Sequence, residues 1–167
     1  ADNAATPTDL KTPKANFFRG IAYGTATVSD KFSVSAVYEL GYTNYNKDNN
    51  GDDVKIKTLS HSFCVRPMYQ ILSGVEAQVE LGYSALTYKG NGMTGNDYKN
   101  KMLLQYKITP SLAFAMDGGF YTRPQIRVFA SLMGNNSKAR DYYNGWGGSM
   151  DGKKMLVVYG AQAEAWW

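Results

Sequence analysis

The chain has 167 residues, 44% of them hydrophobic and only 19% charged, and its uninterrupted apolar runs fall short of the ~18 residues that a membrane-spanning helix requires. The formal net charge of +4 comes from Lys and Arg scattered among acids, with no basic run or stripe to track phosphates, which argues against nucleic acid as a partner. Thirteen Tyr beside seven Phe and three Trp suit β-structure with amphipathic rings at interfaces, and a lone cysteine, Cys64, excludes an intramolecular disulfide framework.

Residues 1–14, rich in Thr, Pro and Ala, read as an external loop segment, and 15–167 as a run of strands. Ala1 to Thr6 have neither the basic start nor the apolar centre of a signal peptide, so the chain is expected to begin part way into a larger protein. The first strand, roughly Phe17 to Val28, alternates weakly and leaves its facing open. The second, Phe32 to Tyr45, is the clearest: Phe32, Val34, Ala36, Tyr38, Leu40 and Tyr42 lie on one face, Ser33, Ser35, Glu39, Gly41 and Thr43 on the other. Leu59 to Ile71 sets Phe63, Val65, Pro67 and Tyr69 against Ser62, Cys64, Arg66 and Gln70. Val75 to Ala85 sets Val79, Leu81 and Tyr83 against Glu76, Gln78, Glu80 and Ser84.

Asn100 to Met116 contains Thr109-Pro110-Ser111, which could be a turn between two strands. Leu104, Tyr106, Ile108, Pro110, Leu112 and Phe114 nevertheless stay in phase through the proline, so one long strand is expected, with Pro110 at an edge or a bulge. Phe120 to Met133 turns Ile126, Val128 and Leu132 one way and Tyr121, Arg123, Gln125, Arg127, Phe129 and Ser131 the other. The last strand, Leu156 to Trp167, places Val157, Tyr159, Ala161, Ala163, Ala165 and Trp167 opposite Gly160, Gln162, Glu164 and Trp166. Such a pattern fits strands with hydrocarbon on one side and water on the other.

Short connections at Ser29-Asp30-Lys31, Leu72-Ser73-Gly74 and Asp117-Gly118-Gly119 alternate with long polar ones over Asn46 to Asp53, Gly90 to Lys99 and Gly134 to Lys153. In outer-membrane barrels the short turns face the periplasm, which would put the carboxy-terminus there. The fold class is all-β, an antiparallel meander of about seven transmembrane strands. An odd meander leaves its first and last strands parallel, so a closed antiparallel barrel needs further strands: a larger barrel is expected.

Four segments, Tyr159-Gly160-Ala161-Gln162-Ala163-Glu164-Ala165-Trp166-Trp167, Thr122-Arg123-Pro124-Gln125-Ile126-Arg127-Val128-Phe129-Ala130, Val65-Arg66-Pro67-Met68-Tyr69 and Gln105-Tyr106-Lys107-Ile108-Thr109, resemble the carboxy-terminal part of the maltoporin family of sugar-specific outer-membrane porins in order and spacing. The resemblance implies a homotrimer of barrels with about eighteen strands in the bacterial outer membrane. It also implies facilitated diffusion of maltodextrin-like or other oligosaccharides along a line of stacking aromatics, with no cofactor and no enzymatic step. By motif, two such aromatics fall in this chain: Tyr121, where many relatives carry Trp, and Trp166.

A pyranose has an apolar face and a rim of hydroxyls, so a sugar path needs flat aromatic surface beside hydrogen-bonding groups. Tyr121 and Trp166 would supply the first, and an inward Trp in a wet lumen has little structural justification. Arg123, Arg127, Gln162 and Glu164 are candidates for the second, although Arg123, Arg127 and Glu164 are more readily explained as a network stiffening the wall. Outward Trp167, Tyr69 and Tyr159 suit interfacial girdles.

Other motifs carry little chemistry. Gly90-Asn91-Gly92-Met93-Thr94-Gly95 matches a dinucleotide pattern with no helix after it, and Asp48-Asn49-Asn50-Gly51-Asp52-Asp53 lacks the closing acid of a calcium loop. His61 has no nucleophile or metal-ligand companion, nor does Cys64, so neither an enzyme nor a metal site is expected. Two other readings remain: a general diffusion porin, and a small eight-stranded structural or adhesion barrel that would need a turn at Pro110.

Overall fold

In a computed structural model that describes residues 15–46, 55–90, 102–116, 124–144 and 154–165, seven strands form one antiparallel sheet in chain order. They are β1 (Ala15–Ser29), β2 (Phe32–Asn46), β3 (Lys55–Leu72), β4 (Val75–Gly90), β5 (Met102–Ala115), β6 (Gln125–Asn135) and β7 (Met155–Glu164). Strands β3 and β4 run further than their alternation suggests. Beyond Leu59 and Ala85 polar and apolar residues mix on both faces and the period disappears, yet the ladder continues through Thr58↔Tyr88 and Lys57↔Lys89. The segments 1–14, 47–54, 91–101 and 117–123, with the oxygen-rich and glycine-rich loops and the third short turn, lie outside the described residues.

Strand β5 passes straight through Pro110, so the turn that an eight-strand reading needs there is absent. Pro110 sits neither at an edge nor at a bulge. It pairs with Val79 on β4, while on the β6 side the ladder breaks after Ile108↔Leu132 and resumes in the same register at Ser111↔Phe129. Pro67 on β3 behaves alike: it pairs with Val34 on β2, and toward β4 the pairing stops at Val65↔Leu81 and resumes at Met68↔Gln78. A proline has no N–H to donate, so each interruption falls where that donor is missing. Each is bridged on the polar face by a cross-strand pair one residue before the proline. Thr109 Oγ1 and Ser131 Oγ lie 2.8 Å apart across the first gap, and the Arg66 guanidinium meets the Glu80 carboxylate across the second.

Burial is inverted relative to a water-soluble sheet. On the polar face Ala113, Gln78 and Glu76 are 1%, 3% and 5% exposed, whereas on the apolar face Leu112, Phe114 and Ile126 are 41%, 44% and 55% exposed. The register also settles the facing of β1, because Arg19↔Gly41, Ile21↔Glu39 and Tyr23↔Val37 place Arg19, Ile21 and Tyr23 on the polar face. On the apolar face the aromatics Tyr38, Phe63, Tyr83 and Tyr106 stand in one row across β2 to β5. The row ends with the Tyr106 ring lying over Gly134, where a Cβ would come within 2.3 Å of Tyr106 Cζ. The ring pair His61–Tyr83, T-shaped at 5.7 Å, belongs to this face, so His61 is a packing partner for a tyrosine.

The connection after β6, polar enough to predict only loop, contains a short helix, α1 (Ser137–Asn144). Asn136 caps it: Oδ1 accepts from Ala139 N at 2.8 Å, and Arg140 N donates to the Asn136 carbonyl at 3.0 Å. The same residue ties the helix to β5, with Nδ2 donating to the Met102 carbonyl at 2.9 Å and its backbone N–H donating to the Leu104 carbonyl at 2.9 Å. The missed signal was an N-cap Asn ahead of Ser137-Lys138-Ala139-Arg140, too short a run to show periodicity.

At the opposite rim Gly74 closes the β3–β4 turn with φ +73°, and a Cβ there would stand 2.4 Å from the Ala115 carbonyl oxygen, while Gly24 has no heavy atom within 4 Å of its equivalent position. Gly74→Val is therefore expected to cost about 1–3 kcal/mol, seen as a lower denaturant midpoint in detergent, with Gly24→Ala close to neutral. A second expectation concerns strand continuity: the amides of Lys107 and Ile108 should exchange as slowly as their neighbours on β4, and rapid exchange there would contradict an unbroken β5.

Candidate functional site

The polar face gathers its charges into four groups, three of them assembled across strands by register. At the centre, Glu80 on β4 accepts from Arg66 on β3, with Nη2 at 2.5 Å and Nε at 3.2 Å, and its other oxygen pairs with Lys107 on β5. A carboxylate held by two cations from both neighbouring strands is fixed in direction, as charge-assisted, forked bonds require. Toward β1, Arg19 Nε and Nη2 grip Glu39 of β2 at 2.9 Å each. Toward the tight-turn rim, Gln78 Nε2 donates to Glu76 Oε2 at 3.0 Å, both side chains being buried.

The fourth group contains three of the residues singled out from the sequence. Arg127 on β6 donates from Nη2 to Gln162 Oε1 on β7 at 2.6 Å, Gln162 Nε2 donates to Glu164 Oε1 at 2.9 Å, and Arg127 lies 3.7 Å from that carboxylate. The residue pairs Gln125↔Glu164 and Arg127↔Gln162 bring them together. Tyr121, Arg123 and Trp166 lie outside the described residues. Just along the same face, the Phe129 ring lies over Gly160, with Cζ 3.2 Å from where a Cβ would be. An aromatic packed over a cross-strand glycine restores the contact area that the glycine lacks.

Single-strand patterns placed Arg66, Glu80 and Lys107 on inward faces without showing that they meet, because cross-strand register is absent from periodicity. The one available hint was Arg-Pro in β3 and a charged residue near the middle of β4 and β5. Tyr23 was hidden for a different reason: the weak alternation of β1 left its face undecided.

The central carboxylate is more shielded than the outlying one, with Glu80 16% and Glu39 35% exposed. Glu80→Gln removes the carboxylate that Arg66 and Lys107 share and is expected to cost about 2–3 kcal/mol, against a smaller loss for Glu39→Gln, measured as denaturant midpoints of the detergent-solubilised protein.

The apolar face has the depth of a bilayer core: Val75 to Ala85 on β4 cover about 33 Å of strand, or about 23 Å along the normal at a tilt of about 45°, against about 25 Å for the apolar band of membrane barrels. The chain matches the family described as LamB porin over residues 1–167. It is 30% identical over 159 residues to proteins named Maltoporin 2 from Yersinia pestis (strain Pestoides F) and Yersinia pseudotuberculosis serotype O:1b (strain IP 31758), covering 94% of this chain and 34% of each relative. The chain thus spans about a third of the length of the curated relatives it matches. Porins are channels and catalyse no reaction. Sequence pattern, inverted burial and family match converge: the chain belongs to the LamB porin family, and its seven strands form one sector of a larger β-barrel of the bacterial outer membrane.

Proposed function

We propose that this chain forms part of the wall of a sugar-selective channel that admits maltodextrin-like or other oligosaccharides by facilitated diffusion, with Tyr121 and Trp166 as stacking surfaces. The observation that carries the reading is a polar face furnished with fixed donors and acceptors inside a member of the LamB porin family, whose named relatives are maltoporins. Arg127, Gln162 and Glu164 bond one another, which supports a role in holding β6 and β7 in register on the face that solute passes. The period-two pattern of the sequence groups Trp166 with Gln162 and Glu164, which supports this reading. Tyr121 keeps a stacking face with less area than Trp. In this reading the tight turns lie at the periplasmic rim, α1 lies at the outer mouth, lipid covers the row of Tyr38, Phe63, Tyr83 and Tyr106, and the whole porin is a homotrimer.

The competing reading, a general diffusion pore, differs in that flux stays linear with solute. For the intact porin in a planar bilayer, maltotriose should block ion current saturably. Trp166→Ala should weaken that block about tenfold, the order expected for losing one ring-stacking contact, and Tyr121→Trp should strengthen it. Block constants unchanged in both variants would remove these residues from the sugar path.

A further inference from the structure

One row of the polar face contains a gap in its side chains. Tyr23, Val37, Cys64, Gly82, Lys107 and Met133 stand directly opposite one another from β1 to β6, and Gly82 contributes nothing beyond its backbone. Over it lies a cavity of about 290 Å³ whose polar lining is Ser62, Glu80, Ser84, Gln105, Lys107 and Asn135. A second hollow of about 280 Å³ adjoins it at Val37 and Cys64 and is bounded by Tyr23 and Arg66. Tyr23 stands on the polar side of the sheet, at the β1 end of this row.

Two features make this more than a dent. The Glu80 carboxylate is held in place by Arg66 and Lys107, so an acceptor and a cationic donor are presented side by side without further ordering. Asn135, which lines the cavity and is only 7% exposed, has its side-chain Nδ2 without a hydrogen-bond partner. A buried amide donor left unsatisfied is costly, and a turn of the Asn135 side chain toward an oxygen in the cavity would satisfy it.

We propose that the depression over Gly82 is a second sugar subsite, distinct from the path of Tyr121 and Trp166, which takes one pyranose ring. Its hydroxyls accept from Lys107 and Asn135 and donate to Glu80, and the neighbouring ring of an oligosaccharide stacks on Tyr23. At about 290 Å³ the cavity lies at the lower end of ligand-site sizes and has room for one pyranose ring. The chemistry suits a neutral polyol: a carboxylate at the centre of the lining repels an anionic solute, and the flanking cations are already engaged by it. The subsite rests on the channel reading above.

The test uses the intact porin in planar bilayers with maltotriose as the probe. Gly82→Leu fills the depression and Lys107→Gln removes a charged donor; each should weaken the block constant about fivefold to tenfold, and Lys107→Arg should restore it. Gly82→Ala meets nothing closer than 3.6 Å, so it folds with partial filling and decides the matter if the leucine variant does not assemble. Wild-type block constants in Gly82→Ala and Lys107→Gln, with saturable block intact, overturn the subsite and leave the channel reading standing. Current that maltotriose fails to block even in the unaltered porin overturns both.

Discussion

Hydrocarbon offers no partner to a backbone N–H or C=O, and this constraint governs every strand of the sheet. It requires the ladders to run unbroken across the apolar band, and it makes the two internal prolines the places where the structure is most exposed to failure. Both face outward, both break pairing toward one neighbour, and neither shifts the register. The interruptions coincide with Arg66–Glu80 and Thr109–Ser131, so side chains on the wet face hold together strands that the backbone cannot join at that point. A salt bridge that looks like pore furniture is thus also a structural clamp.

The same bond therefore serves two ends. Glu80 is at once the clamp for Pro67 and the acceptor at the centre of the cavity over Gly82. Fixed polar groups cost little reorganisation when a hydroxyl arrives, and they are fixed because the sheet needs them. Arg127, Gln162 and Glu164 repeat the arrangement at the β6–β7 step, where three side chains form a wall network on the polar face.

Glycines shape both faces. Gly134 and Gly160 are each covered by an aromatic from the next strand, Tyr106 outside and Phe129 inside, so the missing side chain is made good by a neighbour. Gly82 has no such cover, with backbone and Cys64 as its nearest contacts, and the space stays open. Whether a glycine makes a packing site or a cavity depends on what faces it across the ladder.

Period-two alternation in residues such as Leu104 to Phe114 was enough to establish strand type, the unbroken run through Pro110, the wet and greasy faces of six strands, and the inward placement of Arg127, Gln162 and Glu164. These are properties of one strand at a time, and a local pattern carries them. Register is a relation between strands, set by turn geometry and by the fit of two faces, so the meeting of Arg66, Glu80 and Lys107, the rows through Tyr38 and Tyr23, and the facing of β1 were decided only by the folded sheet. The cap that Asn136 supplies to α1 was likewise invisible as periodicity, because two helical turns docked on β5 owe their existence to tertiary contact.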